Sequence, residues 1–433
     1  MNEFKMFCYQ CSQTSQAKGC INYGVCGKNP TLSKLQDNLI FGIKGISAYL
    51  YHANELGYRD ENLEKFLIET LYSTLTNVNF DTEKFIKHAL DVGKINIETM
   101  RLLKKAHIET YGEPEPVEVF TGIKKGKGII VTGHSLKVLE EVLKQAKLEN
   151  INVYTHSELL PAHGYPKLRK YENLIGNLGK AWYDQRILFS EISACIVGTS
   201  NCVLIPKDDY KDRIFTTGVV GLPKVKHITG YDFSEVIKKA KTLPDLEEKN
   251  GEVILTTGFS LSSILTLKDK IKYLIENGKI RRIFVVGGCD SPSNKNEYFR
   301  QLVKILPKDT LIITLACGKF RFNDLDLGDI DGIPRLIDIG QCNDAIVGID
   351  IITSFAEFFN IKNINDLPIS YFLLWMEQKA VAILWSLLYL GVKRIKIGPV
   401  LPAWINEEIL KFLISEFDLS VVSEPEKDLK GLL

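Results

Sequence analysis

The spacing of apolar residues divides the chain into a helical part and an alternating part. Near the N-terminus, apolar side chains recur every three or four positions in 35–56, 62–77 and 81–107, which predicts three amphipathic helices. Turn and N-cap residues lie between these stretches, so we expect a three-helix region. Pro114 and Pro116 then interrupt the helical pattern, and the first domain is predicted to span 1–115.

After this boundary, short β-branched and aliphatic runs alternate with helical patterns. The predicted strands lie within 127–133, 151–158, 194–202, 253–258, 282–290, 310–319, 335–344 and 394–399. Such alternation predicts parallel sheets in doubly wound, Rossmann-like domains. A charged linker at 242–252 divides them into 116–247 and 248–433. The expected fold class is therefore multidomain α/β, with an N-terminal three-helix region that carries a cysteine loop, followed by two doubly wound domains.

Composition narrows the range of partners and compartments. Apolar residues make up 45% and charged residues 25% of the 433 residues, and the net charge is +1, which argues against a nucleic-acid or anionic-membrane partner. The N-terminus shows no apolar leader, and the longest apolar run, 380–392, is too short to span a bilayer. We therefore expect a cytoplasmic protein without a membrane partner. Disulfides are disfavoured there, so clustered cysteines point to metal or redox chemistry.

Four of the nine cysteines lie in the first 26 residues, with the spacing Cys-x2-Cys-x8-Cys-x5-Cys. They are Cys8, Cys11, Cys20 and Cys26. One Cys-x-x-Cys pair with two further thiols fits a four-thiolate iron–sulfur cluster. Many zinc sites use a second Cys-x-x-Cys pair, which this stretch lacks, so the spacing favours iron–sulfur while structural zinc stays open.

Six further potential ligands each come just after a predicted strand. They are His134, Glu158, Cys202, Cys289, Cys317 and Cys342. Open α/β sheets bind ligands at the carboxyl ends of their strands, so these side chains predict one metal site. Thiolates suit zinc, copper(I) or iron–sulfur, whereas carboxylate and imidazole suit harder iron, and the mixture favours an iron–sulfur–oxygen centre with several metal atoms. The alternative is a set of inert buried thiols. Cys195, inside a predicted strand, is expected to be such a core residue.

Several stretches, in order from Phe7 to Ala380, carry a family resemblance. They are FCYQCSQTSQAKGCINYGVCGK, VTGHSL, SELLPAHGYP, TSNC, GGCD, LACGKFRFN, GQCND and MEQKA. With them the chain resembles the hybrid cluster proteins, also called prismane proteins or hydroxylamine reductases. Most of that family has two N-terminal three-helix bundles, whereas only one fits between Cys26 and His134 here, so the chain resembles a short form.

The resemblance implies two cofactors. A [4Fe–4S] cluster would be held by the four N-terminal cysteines. A hybrid cluster of the [4Fe–2O–2S] type would be held by His134, Glu158, Cys202, Cys289, Cys317, Cys342 and Glu377. Cys289 matches the family's persulfide, and Lys379 matches a lysine near the open face of the cluster. Glu377, Lys379 and Cys289 are therefore the expected catalytic residues, the first two as proton donors.

The resemblance also implies the reaction, the reduction of hydroxylamine to ammonia and water. The chain has neither a G-x-G-x-x-G after a strand nor a Walker A motif, so electrons are expected from an external ferredoxin-like or reductase protein. The alternatives are nitric oxide reduction in nitrosative-stress defence, nitrosyl transfer to protein thiols, and a non-enzymatic redox sensor or electron carrier. Among the histidines, His52, His88 and His107 are expected at the surface of the helical region or in capping contacts, and His163 in a structural or supporting position.

Overall fold

The computed structural model describes residues 5–251 and 253–433. Its helical region confirms the three predicted helices, as α1 (Pro30–Glu55), α2 (Glu61–Ser73) and α3 (Thr82–Tyr111). The side chains of Asn29, Asp60 and Asp81 accept hydrogen bonds from the first-turn amides of these helices. Such caps satisfy amides that have no partner inside the helix, which fixes where each helix begins.

The first sheet has six parallel strands in the order β4-β3-β2-β5-β6-β7. The elements of this part are β1 (Val117–Phe120), β2 (Gly128–Thr132), α4 (Leu136–Lys147), β3 (Asn152–His156), α5 (Pro166–Arg169), β4 (Leu174–Asn177), α6 (Gln185–Glu191), β5 (Cys195–Gly198), β6 (Ile214–Thr217), β7 (Lys226–Ile228) and α7 (Ser234–Thr242). Every residue of β2 and β5 is buried, as expected for central strands covered by helices on both faces.

The second sheet repeats this plan with the order β13-β10-β9-β14-β15-β16, again all parallel. Its part of the chain contains β8 (Ile254–Thr257), α8 (Leu261–Leu265), α9 (Lys268–Glu276), β9 (Arg282–Gly287), α10 (Glu297–Ile305), β10 (Thr310–Thr314), β11 (Asp329–Ile330), β12 (Ile333–Pro334), β13 (Leu336–Asp338), α11 (Ala345–Phe358), β14 (Ile369–Leu373), α12 (Gln378–Tyr389), β15 (Ile395–Ile397), α13 (Glu407–Phe417), β16 (Ser420–Val421) and α14 (Pro425–Leu429). Two doubly wound sheets were predicted, and both are present.

Each sheet changes its winding direction once. The change falls between β2 and β5 in the first sheet and between β9 and β14 in the second. The loops that leave neighbouring strands diverge at such a point and open a crevice at the carboxyl edge. Four of the predicted ligands, His134, Cys202, Cys289 and Glu377, follow these four strands.

One predicted strand belongs elsewhere. The run 253–258 was expected in a parallel sheet, but β8 pairs antiparallel with β1 in a separate two-stranded ribbon. Burial alternates along β8, so only one of its faces is covered, and this pattern is typical of a ribbon rather than of a central parallel strand. The central strand β14 was not predicted at all; neither were β4, β6, β7 and β16.

The largest core joins the helical region to the second sheet. Helix α12 packs against both α1 and α3, and the Trp385 indole donates to Asn38 at 2.8 Å. In the same interface, the Asn96 amide donates to Ser386 at 2.9 Å. His52 and His107 were expected at the surface or in capping contacts, and the surface alternative is wrong because both side chains are buried. No helix in the described residues has the length and apolarity needed to cross a membrane.

Candidate metal centre

The carboxyl edges of the two sheets enclose a cavity of about 250 Å³. Its lining consists of His134, Glu158, Trp182, Asn201, Cys202, Cys289, Ala316, Cys317, Cys342, Glu377, Gln378 and Lys379. All seven side chains that the resemblance implies for a hybrid cluster are in this set, together with Lys379. The strand-end argument and the family motifs thus lead to the same cavity.

The tightest group of potential ligands joins both sheets. One ligand atom each from His134, Glu158 and Cys342 lies within 4.8 Å of the others, and His134 Nε2 is 4.0 Å from Glu158 Oε2. His134 Nδ1 is hydrogen-bonded to Ser200 Oγ at 2.7 Å, so the second ring nitrogen is held in place while Nε2 is directed to Glu158. A partner on one ring nitrogen that orients the other is usual for histidine ligands of metals.

Glu158 has one oxygen without a partner. Its Oε2 accepts a hydrogen bond from the Cys342 amide at 2.8 Å, while the buried Oε1 has no hydrogen-bond partner among the described residues. A buried carboxylate oxygen left in this way is costly unless a cation or donor meets it. The donor set therefore fits a metal group that binds between Glu158 and its neighbours.

Burial suppresses charge on the potential ligands. It raises the pKa of the Cys202 and Cys289 thiols to about 12 and raises the pKa values of Cys317 and Cys342 as well. Burial also raises the pKa of Glu158 and holds the pKa of His134 well below its usual value. A bound cation reverses this preference, because it replaces the protons on thiols and carboxylate. Four soft thiols beside one carboxylate and one imidazole match an iron–sulfur–oxygen group better than a single zinc ion.

The turns that present these side chains are locally strained. Cys202 has φ of 68° and Ala316, just before Cys317, has φ of 62°, both in the left-handed region that side chains other than glycine rarely adopt. Gly133, just before His134, has φ of 114°, and a Cβ there would lie 2.4 Å from Thr199 Oγ1. Backbone strain of this kind persists where the surrounding packing fixes the turn, and it concentrates at functional sites.

Lys379 places a cationic side chain inside the cavity wall. It is buried on the first turn of α12, where Nζ donates to Asn343 Oδ1 at 2.6 Å and lies 3.6 Å from Cys342 Sγ. The ammonium also lies over the Tyr49 ring, 5.3 Å from its centroid. These contacts fix the ammonium beside a thiol, so it can stabilise a thiolate or donate a proton to a ligand in the cavity.

Glu377 occupies the mouth of the cavity and differs from Glu158 in its surroundings. It is solvent-exposed, and its Oε1 accepts a hydrogen bond from the Trp375 indole at 2.7 Å. Its backbone amide donates toward the Cys289 sulfur. The structure therefore brings Glu377 next to Cys289, but with its carboxylate held at the rim.

Two polar networks around the cavity were missed by sequence reasoning. Lys319 is fully buried, and its Nζ donates to both carboxylate oxygens of Asp338, at 2.9 and 2.8 Å, and to the Gly340 carbonyl at 2.9 Å. This ion pair ties the turn after β10 to the turn that carries Cys342. The sequence did contain a signal for this ion pair: the lysine in LACGK and the aspartate in LIDIG both lie next to the end of a strand.

The second network joins the two sheets beside Cys289. The carboxylate of Asp290 accepts from Tyr183 at 3.0 Å and from Arg321 at 2.7 Å, and its carbonyl accepts from the Trp182 indole at 3.1 Å. Trp182 and Tyr183 belong to the first sheet's part of the chain, whereas Asp290 and Arg321 belong to the second. The network therefore fixes the position of Trp182 in the cavity wall.

A second cavity of about 390 Å³ adjoins the first on the side of α1. The two share Asn201, Gln378 and Lys379 as lining residues, and α1 contributes Ala48 and His52 to the outer one. We call this outer cavity the α1 vestibule. It offers a path from the surface to Lys379 for a small solute.

The N-terminal cysteine loop is held by its own backbone. Cys8 and Cys20 exchange two amide-to-carbonyl hydrogen bonds, at 3.0 and 2.7 Å, and Thr14 Oγ1 donates to the Cys8 carbonyl at 2.9 Å. The backbone amides of Ser15 and Val25 donate to Cys20 and lower the pKa of its thiol. Lys28 Nζ lies 3.6 Å from Cys8 Sγ. Amide and ammonium donors aimed at sulfur favour the thiolate form that an iron–sulfur cluster needs.

Cys195 and His163 lie where supporting residues were expected. Cys195 is fully buried in β5, away from the cavity lining. His163 is buried on a short 3₁₀ helix, Ser157–Gly164, and its Nε2 is hydrogen-bonded to Thr155 Oγ1 at 2.9 Å. Both positions suit a structural role.

Comparison with known proteins identifies the family of this chain. The sequence profile of the Prismane/CO dehydrogenase family matches residues 6–89 and 81–430. The chain belongs to this family. It is 66% identical to a hydroxylamine reductase of Thermotoga maritima, with 99% of both chains covered, and 60% identical to a hydroxylamine reductase of Methanothermobacter thermautotrophicus, with 99% of this chain and 100% of the relative covered. Both relatives therefore share its short form.

A solved structure shows the same fold at low identity. The Ni-free carbon monoxide dehydrogenase from Thermococcus sp. AM4 superposes with a TM-score of 0.77 at 14% identity, over 99% of this chain and 89% of that one. The family assignment confirms the resemblance inferred from the motifs and supports the expected oxidoreductase class and iron–sulfur cofactors.

Proposed function

We propose that this protein reduces hydroxylamine at a hybrid iron–sulfur–oxygen cluster in the cavity between the two sheets. The balanced reaction takes up two electrons and two protons, NH₂OH + 2 e⁻ + 2 H⁺ → NH₃ + H₂O. The observation that carries the proposal is the lining of one cavity by seven metal-binding side chains with a buried lysine beside them. Both close relatives are named for the same reaction.

The side chains that would hold the hybrid cluster are His134, Glu158, Cys202, Cys289, Cys317, Cys342 and Glu377, with Cys289 as a persulfide. Bound there, the cluster supplies Lewis-acid binding of the substrate's oxygen or nitrogen and stores electrons. Glu158 and His134 would be inner ligands, since they are buried and face each other at 4.0 Å. Glu377, exposed at the rim, would be the most solvent-accessible of these side chains.

Lys379 and Glu377 would supply the two protons. Lys379 Nζ lies beside Cys342, is fixed by Asn343 and lines the cavity. The Glu377 carboxylate lies at the solvent boundary, so it can take up a proton from water and present it to the leaving oxygen. Two general acids that line one cavity suit the cleavage of an N–O bond in a small substrate.

Electrons would enter at a [4Fe–4S] cluster held by Cys8, Cys11, Cys20 and Cys26. The amide donors to Cys20 and the ammonium of Lys28 near Cys8 support thiolate ligation there. An external ferredoxin-like or reductase protein would provide the electrons one at a time.

The test is metal analysis followed by an activity assay. Protein purified without oxygen should contain about eight irons per chain and two centres that titrate separately in EPR, as expected for two four-iron clusters. It should oxidise reduced methyl viologen when hydroxylamine is added, faster than when nitric oxide is added at equal concentration. Zinc with little iron, or no hydroxylamine-dependent oxidation, would contradict the proposal.

A further inference from the structure

Lys28 spans the cysteine loop from its last cysteine to its first. Its carbonyl accepts a hydrogen bond from the Gly24 amide at 2.9 Å, in the tight turn that carries Cys26. A Cβ on Gly24 would lie 3.1 Å from the Cys26 sulfur, so this turn leaves little free space. From the turn, the Lys28 side chain reaches back to Cys8, where Nζ lies 3.6 Å from the sulfur. One residue therefore contacts both ends of the loop.

The ammonium of Lys28 is buried and held in place. The residue is 6% exposed, and Nζ also donates to Oε1 of Gln36, a buried residue of α1. Burial raises the pKa of the half-buried Asp37 carboxyl, while the charges of Lys34 and Lys28 lower it. Neither Asp37 nor any other carboxylate among the described residues forms an ion pair with Lys28. A buried ammonium without an anionic partner is costly, so an anionic group at the Cys8 sulfur would be its complement.

The charge of Lys28 also acts on a second cysteine. Cys20 receives amide donors from Ser15 and Val25, and these hydrogen bonds lower the pKa of its thiol. The charge of Lys28 lowers the same pKa by a smaller amount. Lys18 belongs to the same loop, but it is exposed, so water and salt screen its charge. The field at the sulfurs therefore depends on Lys28 more than on Lys18.

We propose that Lys28 raises the reduction potential of the N-terminal iron–sulfur centre. The inference rests on the proposed function, because it requires a [4Fe–4S] cluster at the four cysteines. In the reduction step the external ferredoxin-like or reductase protein loses one electron and the centre gains it, and no proton is transferred. The reduced centre is the more negative one, so a fixed cation at a ligand sulfur stabilises it more than the oxidised one. Net charge and hydrogen bonds to sulfur set the potentials of such clusters.

Burial decides how strongly Lys28 acts. Two charges interact several times more strongly inside a protein than across water, because the effective dielectric constant is lower there. Gln36 keeps the ammonium from turning away from the sulfur. Lys28 touches neither the substrate nor its reacting atoms and acts through Cys8, so it is a positioning residue.

The test is an EPR-monitored redox titration of the anaerobically purified holoprotein. Lys28→Met removes the charge but keeps the length of the side chain, and Lys28→Arg keeps the charge. Gln36→Leu keeps the ammonium but removes the oxygen that holds it. Lys18→Met is the matched control, since Lys18 lies in the same loop and is exposed. Iron per chain and the EPR spectrum of the reduced centre show whether each variant holds its cluster.

At the wild-type midpoint potential, the ratio of reduced to oxidised N-terminal centre should fall about tenfold in Lys28→Met, which is a midpoint about 59 mV more negative for a one-electron couple. Lys28→Arg should lie closer to the wild type than Lys28→Met does. Gln36→Leu should shift the midpoint in the same direction as Lys28→Met, but by less. Lys18→Met should match the wild type, because water screens the charge that it removes.

An unchanged midpoint in Lys28→Met would overturn the proposal, and so would an equal shift in Lys28→Arg or in Lys18→Met. If Lys28→Met binds no cluster, Gln36→Leu decides: a more negative midpoint supports the proposal, and an unchanged one overturns it. Zinc in the N-terminal loop would overturn this proposal together with the proposed function. Shifted midpoints in a protein without hydroxylamine turnover would count against the proposed function alone.

Discussion

The amide of Cys342 donates a hydrogen bond of 2.8 Å to Oε2 of Glu158, although the two residues are 184 positions apart and follow strands of different sheets. This contact joins the turn after β13 to the 3₁₀ segment after β3. It leaves Oε1 of Glu158 as the oxygen with no partner among the described residues. The same carboxylate thus links the two sheets and offers a free oxygen to a metal.

Glu158→Gln separates these two roles. Glutamine keeps an oxygen for the Cys342 amide, so the sheets should stay joined, but it removes the anionic ligand. We expect turnover to fall at least about 100-fold. Even the mutation of a residue that only hydrogen-bonds to a metal ligand lowers metal affinity or activity by about 10–100-fold. Iron should drop to about half, with the EPR signal of the N-terminal centre retained. Full iron content in the variant would show that Glu158 is not a ligand.

Glu377→Ala tests the rim carboxylate. Because Glu377 is exposed, its removal should leave the fold stable while abolishing turnover. Trp375→Phe is the matched control: it removes the indole donor to Glu377 but keeps the carboxylate, and its activity should stay within about tenfold of the wild type. Hydroxylamine assays with EPR of the hybrid centre check both variants. An alanine variant of full activity would refute the role given to Glu377.

Ala48→Phe tests the α1 vestibule as the entry path. The half-buried Ala48 lines the outer cavity, and a phenyl ring there would narrow the way to Lys379. We expect KM for hydroxylamine to rise about tenfold with little change in kcat, because substrate binding is affected before chemistry. In the metal-free protein, bulky maleimides should label Cys342 more slowly than in the wild type. Thr76→Phe, at an exposed position after α2, is the control. An unchanged KM would exclude this path.

The positions of the candidate ligands could be predicted in part because parallel strands share one carboxyl edge. That argument placed His134, Cys202 and Cys317 correctly at the edges of their sheets. It could not show that the two edges face each other, since the contact between Glu158 and Cys342 depends on tertiary packing. Glu377 came from the resemblance alone, because the short run of β14 directly after Pro368 gave no clear strand signal.

The sequence also did not predict which polar residues on the helices are buried. The apolar spacing of α1 and α3 predicts which face meets a core, but not that α12 covers a second side of both helices. The burial of His52 and His107, which were expected at the surface or in capping contacts, could therefore not be predicted. The antiparallel partner of β8 was missed for a similar reason, since β1 lies far away in sequence and no short turn joins the two strands.

Lys319→Met should be strongly destabilising. It leaves the Asp338 carboxylate buried without its ammonium partner, and breaking a buried pair in this way costs about 3–5 kcal/mol. The double variant Lys319→Met/Asp338→Leu removes both charges and should recover much of this loss. Thermal unfolding of the wild type, the single variant and the double variant checks this order of stability. A single variant as stable as the wild type would mean that the pair does not support the Cys342 turn.

His107 should make stability depend on pH. Burial, with the charges of His52 and Lys379, lowers its pKa in the folded protein to about 3, from 6.5 in the unfolded chain. As the pH falls, the unfolded chain therefore takes up the proton before the folded protein does. The stability that the folded protein gains from a neutral His107 is fully present above pH 6.5 and is lost as the pH falls toward 3. Between pH 7 and pH 5 the loss should be about 2 kcal/mol, at 1.36 kcal/mol per pKa unit.

His107→Phe isolates this contribution. The ring already packs against Tyr111 and Tyr165, so phenylalanine should fit without a buried proton site. The free energy of unfolding is measured in urea at pH 7 and at pH 5. Its decrease between the two pH values should be smaller in the variant than in the wild type by about 2 kcal/mol, the amount that follows from the lowered pKa of His107. His227→Gln, at an exposed position on β7, is the control and should follow the wild type. Equal losses in His107→Phe and the wild type would show that His107 is protonated in the folded protein at pH 5, and that its burial does not hold it neutral.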